Sequence, residues 1–508
     1  MPITYPRLIP ASPRVRTFSG MTTTDLRPDR RDPQPQAAQH GPARHNSPFA
    51  LIVLLAGVFM ALLDFFIVNV ALPSAQHDLH ASSAAIQWVV AGYGLAMASG
   101  LVTGGRLGDL FGRRRVFVIG LLLFTAASAA CGLAPNPGML IGARVAQGLG
   151  AAVFMPQILG VIGAAFSGAS RARAFTGYGL TAGLGAVFGQ LIGGSLIQAD
   201  PFHLGWRAIF WINVPIGLAA AVLALRALPS LPSTGRARLD PVGGALLTLA
   251  VVALVLPLVE GRQYGWPAWT WACLAASPTL LGLFYAHQRR LIDRGGEPVL
   301  NPALFGQRSF AAGVPVTLIY NVAVGSFFFV LALYLQQGRG MTALDSGLLF
   351  IAVGAPYLAA SLRSGRLAAR FGRKLMIVGC LTQAAGYALL DLTVREAGAG
   401  HSVCWLIPGM AVVGIGMGFT YAPMFGVVLA GVDPKHSSSA SGLLATVQQV
   451  GGASGIALAG IVFFDKLGAA PATAAYPAAF GAALLLLAAV SLLSAALMRL
   501  LPVNPMAQ

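Results

Sequence analysis

Long apolar runs and short charged turns alternate along most of this chain. Stretches such as Phe49–Leu72, Val116–Leu133 and Val242–Leu258 carry almost no charge. About 17–25 apolar residues cross a bilayer's hydrocarbon as a helix. Fourteen such segments stand out, near 49–72, 84–105, 116–134, 139–165, 174–198, 207–228, 241–259, 267–287, 309–335, 343–361, 375–393, 403–430, 438–463 and 475–500. The pattern predicts an all-α integral membrane protein with 14 transmembrane helices. Residues 1–48 hold seven arginines, many prolines and no apolar run. They read as a disordered tail, and no signal-peptide core precedes Phe49.

The turns repeat. Gly105–Arg114 reads GRLGDLFGRR and Gly365–Lys374 reads GRLAARFGRK, identical at six of ten positions. Each links the second and third helix of a set of six, once the seventh and eighth helices are set aside. The chain is therefore expected to be a duplicated six-helix unit, as internal repeats in transporters often are. Its predicted parts are the tail 1–48, an N-terminal six-helix bundle 49–228, a two-helix insert with flanking loops 229–308, a C-terminal six-helix bundle 309–500 and a C-terminal segment 501–508.

Composition agrees: 56% of 508 residues are hydrophobic and 10% charged, against about 25% charged in soluble domains. The net charge of +17 is not an argument for nucleic acid, because the basic residues sit between spans. With the tail placed in the cytoplasm, 27 of the 33 Lys and Arg fall on that side. Five (Arg207, Arg262, Arg339, Arg395 and Lys466) fall opposite, and Arg144 lies within a span. Positive residues favour the cytoplasmic side, so both termini are expected there, in a multi-pass protein of the cell membrane. The four cysteines lie in or beside apolar segments without a Cys-x-x-Cys pair, and point to neither metal nor disulfide framework. Phosphate-loop, zinc-helix and serine-elbow motifs are absent from the sequence. No enzyme activity, cofactor or direct ATP drive is expected.

Two charges inside the membrane carry the candidate chemistry. Asp64 is deep in the first helix, where an acid costs roughly 2.5–3.5 kcal/mol on insertion scales. It reads either as a proton carrier or cation-recognising acid, or as a packing Asp bonded to neighbours such as Asn69. Arg144 shares a helical stripe with Gln147 and Gly148 and stays protonated. It either biases the titration of a nearby acid or caps backbone carbonyls. Asp391, near a helix end, reads as interfacial. Asn69, Gln147, Gln157, Gln190, Asn213, Tyr320, Asn321 and Gln448 are polar residues in spans, each a packing bond or a cavity contact. Gly185, Gly189 and Gly193 share one helix face, with Gly194 beside it, as a close-packing surface.

Several of these motifs together resemble the major facilitator superfamily, specifically its fourteen-span drug:proton antiporter family. GRLGDLFGRR is similar to the superfamily's loop between helices two and three. LDFFIVNVALP (Leu63–Pro73) is similar to the family's first-helix motif, ARVAQGLGAA (Ala143–Ala152) to its fourth, and WRAIFWINVPIG (Trp206–Gly217) to its sixth-helix entry. The resemblance implies two six-helix bundles plus two inserted helices. It implies a secondary active transporter exporting hydrophobic or amphipathic drugs or antibiotics in exchange for protons by alternating access. An importer or facilitator on the same fold is the alternative, since fold does not fix direction. The implied partners are a small-molecule substrate, protons and the lipid bilayer, with the protein acting as a monomer.

The resemblance also implies that Gly105, Asp109, Gly112 and Arg113 form a lock closing the cytoplasmic face. Leu110 stands where the family often has arginine, and Ala369 replaces the acid in the second copy. The fifth helix resembles the exporter motif Gly-x-x-x-Gly-Pro-x-x-Gly-Gly, with Gln190 in the proline's place.

Overall fold

The computed structural model describes residues 48–166, 168–229, 240–296, 298, 300–397, 402–429, 432, 437–468 and 474–502. The expected tail, except Pro48, and the expected C-terminal segment beyond residue 502 lie outside the described residues. The first half contains α1 (Pro48–Asp78), α2 (Ser83–Phe111), α3 (Arg113–Gly132), α4 (Pro137–Ala165) and α5 (Gly168–Ala199), then a sixth crossing broken into α6 (Ala208–Trp211) and α7 (Asn213–Ala227). The insert is α8 (Pro241–Glu260) and α9 (Ala268–Asp293). The second half contains α10 (Arg308–Leu333), a crossing broken into α11 (Ala343–Leu349) and α12 (Ile351–Phe371), then α13 (Arg373–Ala397), α14 (Ile407–Leu429), α15 (Ser437–Leu467) and α16 (Ala475–Leu497). No strand occurs among the described residues.

Thirteen of the fourteen expected crossings are long and apolar enough to span a membrane. The remaining one, α9, has 26 residues, about 39 Å at ~1.5 Å per residue. It falls short in hydropathy because Trp269, Thr270, Trp271, Ser277, Pro278 and Thr279 dilute its apolar run before His287–Arg290 end it.

Local chemistry sets the helix limits. Asn136 accepts from the Met139 N–H at 2.9 Å, with Pro137 beginning α4. Asp240 caps α8 through the Gly243 N–H at 2.8 Å, followed by Pro241. Burial works against the Asp240 carboxylate, but bonds from Gly243, Gln288 and His287 outweigh it and hold it below its ordinary range. Both charged turns end a helix on a glycine with positive φ, Gly112 at 89° and Gly372 at 55°, a region open to Gly at little cost.

The duplication is visible in the packing. In the first half α1 packs on α5 and α7, α2 on α4, and α3 on α4 and α7. In the second, α10 packs on α15 and α16, α12 on α14, and α13 on α14 and α16. These are the same partnerships shifted by eight crossings. The halves meet along two seams, α2 with α15 and α5 with α11 and α12, which the repeat exchanges. Helix α8 lies against the first seam, touching both α2 and α15.

Alternating helix direction gives the bundle two ends. The Gly112 and Gly372 turns share one, here called the charged face; Asp78, Ser83 and Tyr476 lie toward the opposite face. Cross-half bonds run from the middle to the opposite face. Thr446 Oγ1 donates to Ala98 O at 3.0 Å. Gln336 Nε2 donates to Val70 O at 2.8 Å, and Gln337 Nε2 to Gln76 Oε1 at 2.9 Å. Leu122 and Leu123 of α3 and Val222 and Leu225 of α7 point outward, as lipid-covered faces require.

Candidate functional site

Three helices of the first half bring their polar residues to one sealed point. Asp64 comes from α1, Arg144 and Gln147 from one face of α4, and Asn213 from the first turn of α7, just after the break at Ile212. All four are fully buried. Arg144 Nη1 lies 2.6 Å from Asp64 Oδ2. Gln147 Nε2 and Asn213 Nδ2 donate to Asp64 Oδ1 at 2.8 and 2.7 Å. Arg144 also donates from Nη1 to Gln147 Oε1 at 2.8 Å and from Nε to Val89 O at 3.0 Å. Its guanidinium sits 4.2 Å from the centre of the Tyr93 ring.

The carboxylate thus has three charge- or amide-bearing donors, and the cation has an acid, an amide oxygen, a carbonyl and an aromatic face. Removing one partner of such a pair costs about 3–5 kcal/mol, because the other charge is left buried. The cluster is not saturated. Arg144 Nη2, the Tyr93 hydroxyl and Asn213 Oδ1 are buried with no hydrogen-bond partner among the described residues. An unmet buried group usually costs about 1–3 kcal/mol.

Asn69 does not join this cluster; its amide donates to Phe66 O at 3.1 Å, within its own helix. Gln147 and Asn213, each read from sequence as a packing bond or a cavity contact, bind Asp64 instead. Ser128, which sequence reasoning passed over, bridges Asn213 (3.1 Å) to Phe210 O (2.8 Å). Tyr93 was missed too. Its flanking glycines in Gly92–Gly94 were the available signal, since Gly148 packs on the Tyr93 carbonyl.

From Tyr93 an aromatic chain crosses to the second half. Ring centroids are 6.0 Å apart for Tyr93–Phe65, 5.1 Å for Phe65–Phe66 and 5.3 Å for Phe66–Phe328. Phe328 stacks on Phe350 at 5.9 Å and meets Phe327, which meets Tyr387 at 5.2 Å. Near this chain, at mid-bundle, tyrosines from both halves gather. Tyr320 lies 6.3 Å from Tyr421, and has Tyr357 and Tyr387 as further neighbours. Tyr178 of the first half neighbours Tyr421, and Tyr357 touches Gly183. Gln448 meets the Tyr421 hydroxyl. Tyr178, Tyr357, Tyr421 and Gln448 are half-buried. Asn321 turns back to Thr317 O at 2.8 Å.

The charged turn ties three helices of one half together. Asp109 Oδ1 and Arg113 Nη2 pair at 2.8 Å, and the Arg113 guanidinium covers Gly160 of α4. Gln157 Nε2 donates to Gly104 O at 2.7 Å, with its other end over Gly108. Gly104 and Gly108 are the close approaches here; Gly105 has only an ordinary contact with Pro156, at 3.7 Å. In the second copy, where the acid is missing, Arg373 instead donates to the carbonyls of Arg499 and Leu501.

On α5, Gly185, Gly189 and Gly193 lie against Leu62, Leu63 and Ile67 of α1, while Gly194 lies on the Ala343 carbonyl of the other half. Gly347 returns the contact on the Gln190 carbonyl. The Gln190 side chain is buried, with neither amide atom bonded among the described residues. Asp391, read as interfacial, is buried and paired with Arg395 at 2.9 Å.

The model of the Major Facilitator Superfamily matches residues 54–315 and again 313–508. The chain belongs to the major facilitator superfamily. This superfamily member is 40% identical over 443 residues to the probable actinorhodin transporter of Streptomyces coelicolor, covering 86% of this chain and 76% of that one. It is 35% identical over 454 residues to the puromycin resistance protein of Streptomyces alboniger, covering 88% and 87%. Among solved structures it resembles a peptide transporter of the POT family with a TM-score of 0.65 at 14% identity, over 89% of this chain and 97% of that one. At that identity the likeness speaks for the fold. The chain is thus a multi-pass membrane transporter, and its relatives transport or confer resistance to antibiotics.

Proposed function

We propose that this chain exports hydrophobic or amphipathic compounds, drugs or antibiotics, in exchange for protons by alternating access. Both termini and both charged turns lie on the cytoplasmic side, and the protein works as a monomer without cofactor. The sealed Asp64–Arg144 pair carries the reading. It is an ion pair with unmet hydrogen-bonding groups around it, linked by contiguous rings to the other half. A proton on Asp64 removes the charge that Arg144 needs, and several kcal/mol of bias then favour whichever state offers Arg144 Nη2 another acceptor. Release of the proton restores the pair. The bonds joining the halves from mid-bundle to the opposite face support reading this as the inward-open state. In the outward-open state the Asp109–Arg113 turn, bent at Gly112, serves as the cytoplasmic lock.

The test is uptake into everted vesicles with an imposed pH gradient. Asp64→Asn keeps the size of the side chain but cannot release a proton, and it leaves Arg144 buried without a countercharge. It is therefore compared with Asp64→Asn/Arg144→Gln, which removes both charges. The single variant should lose more thermal stability than the double, by about 3 kcal/mol. Neither should accumulate substrate uphill, while the double still exchanges a neutral substrate passively. Proton-driven accumulation by the double variant would make the pair structural. Uptake into intact cells driven by an inward proton gradient would favour an importer.

A further inference from the structure

Every side chain bonded to Asp64 is a donor, and each amide among them is held in that role by a neighbour. We propose that Ser128 and Asn213 form a polarity lock, so that Asp64 takes up a proton only when the cluster opens. This rests on Asp64 as the proton site of the exporter reading, and it adds Ser128 as a positioning residue.

An amide side chain can present either its oxygen or its nitrogen, so other bonds have to fix which end faces the acid. On one side Arg144 does this. Its Nη1 donates to Gln147 Oε1 at 2.8 Å, and the Cys131 thiol donates to the same oxygen at 3.7 Å. The Gln147 nitrogen is thereby turned toward Asp64 Oδ1. On the other side Ser128 does it. The Ser128 hydroxyl commits its one proton to Phe210 O at 2.8 Å, which leaves only lone pairs for Asn213. Asn213 Nδ2 then donates twice, to Ser128 Oγ at 3.1 Å and to Asp64 Oδ1 at 2.7 Å. Its own Oδ1 is left buried with no partner among the described residues. That unmet oxygen is the sign of an orientation imposed by Ser128.

A carboxylate only accepts, whereas a protonated carboxyl must also donate. Arg144 has no acceptor to offer, and both amides turn their nitrogens to Asp64. A proton placed there would face donors alone, and bonds of this kind favour the charged form. The proton therefore binds only as an amide turns over or the helices part. Proton uptake and rearrangement of α1, α3, α4 and α7 become one event. Arg144 of α4, the Tyr93 hydroxyl of α2 and the Cys131 thiol of α3 are the ionisable groups acting on Asp64. Arg207, also close to α1, pairs with Asp78 at the far end of that helix.

The test titrates Asp64 directly, through the carboxyl C=O infrared band of the full chain in nanodiscs that disappears in Asp64→Asn. Ser128→Ala frees the Asn213 amide to turn its oxygen to a neutral acid. The titration midpoint should rise by about one pH unit or more. Asn213→Leu removes the donor itself and should raise it at least as far. In the Asn213→Leu background Ser128→Ala should add nothing, because Ser128 acts through Asn213. An unchanged midpoint in Ser128→Ala, or additive shifts in the double variant, would overturn the lock. Proton-driven accumulation in everted vesicles separates the lock from the exporter reading. Ser128→Ala should lose fivefold or more of uphill accumulation while passive exchange persists. A raised midpoint with undiminished accumulation would keep the lock and sink Asp64 as the coupling site. An unchanged midpoint, with accumulation lost in Asp64→Asn/Arg144→Gln, would do the reverse.

Discussion

Asp64 and Arg144 stand out in the sequence because charge is rare in a membrane span, and any reader would pair them as suspects. That they touch at 2.6 Å, and that Gln147 and Asn213 rather than Asn69 complete the acid's shell, depends on how α1, α4 and α7 are rotated. The glycines divide the same way. The repeated turn draws attention to Gly105, yet Gly104 lies on the Ala152 carbonyl, where a methyl would overlap backbone, and Gly105 has room. Gly104→Ala should therefore destabilise the protein by about 1–3 kcal/mol, as overpacking does. Gly105→Ala should cost less than about 0.5 kcal/mol, like an unconstrained site. Thermal unfolding in detergent separates them, and equal losses would mean that the α2–α4 spacing is looser than these contacts.

The inserted pair α8–α9 belongs to neither half, and its outer turn holds on to both. Glu260 Oε1 accepts from Trp88 Nε1 of α2 at 2.6 Å, and Arg262 Nη2 donates to Phe464 O of α15 at 2.6 Å. Beneath lies a cavity of about 560 Å³ that Gln76, His77, Arg262, Gln337 and Tyr476 help to line. A turn bonded across the α2–α15 seam resists parting of the halves at this face. Bonds to charged groups contribute about 1.5–3 kcal/mol each. Trp88→Phe combined with Arg262→Leu should thus raise the labelling rate of a cysteine at position 337, from that side, by about tenfold or more. An unchanged rate would make the insert a passive passenger. The end of α10 is a second element-level device. Its π-turn, Tyr334–Gly338, points Gln336 and Gln337 at α1, and turns of this kind recur at functional sites.

For the whole molecule, the proposed orientation rests on where the basic residues lie. Single cysteines at 113 or 373, in a background without the native four, should resist an impermeant thiol reagent in intact cells. Cysteines at 77 or 339 should label readily. Labelling at 113 from outside inverts the topology and removes the basis for a cytoplasmic lock. The packing supports two equivalent halves, since every main partnership in the first recurs eight crossings later. The α2–α15 and α5–α11 seams are the natural places for one half to rock against the other.

Helix number, duplication and the insert were all legible in the sequence, for one physical reason. A bilayer imposes a fixed length on every apolar run and sorts the charges between runs, so a linear pattern carries the topology. The shortfall at α9 belongs to the same rule, because polar and weakly apolar residues interrupt its run. What the sequence did not determine is rotation about each helix axis. In lipid both faces of a span are apolar, and periodicity then says little about which face is inside. The tertiary structure alone decided that Asn213 faces Asp64, that Gly104 rather than Gly105 is pinched, and that tyrosines from five separate helices gather together. Those outcomes depend on side chains hundreds of residues apart fitting together, and no local spacing encodes that fit.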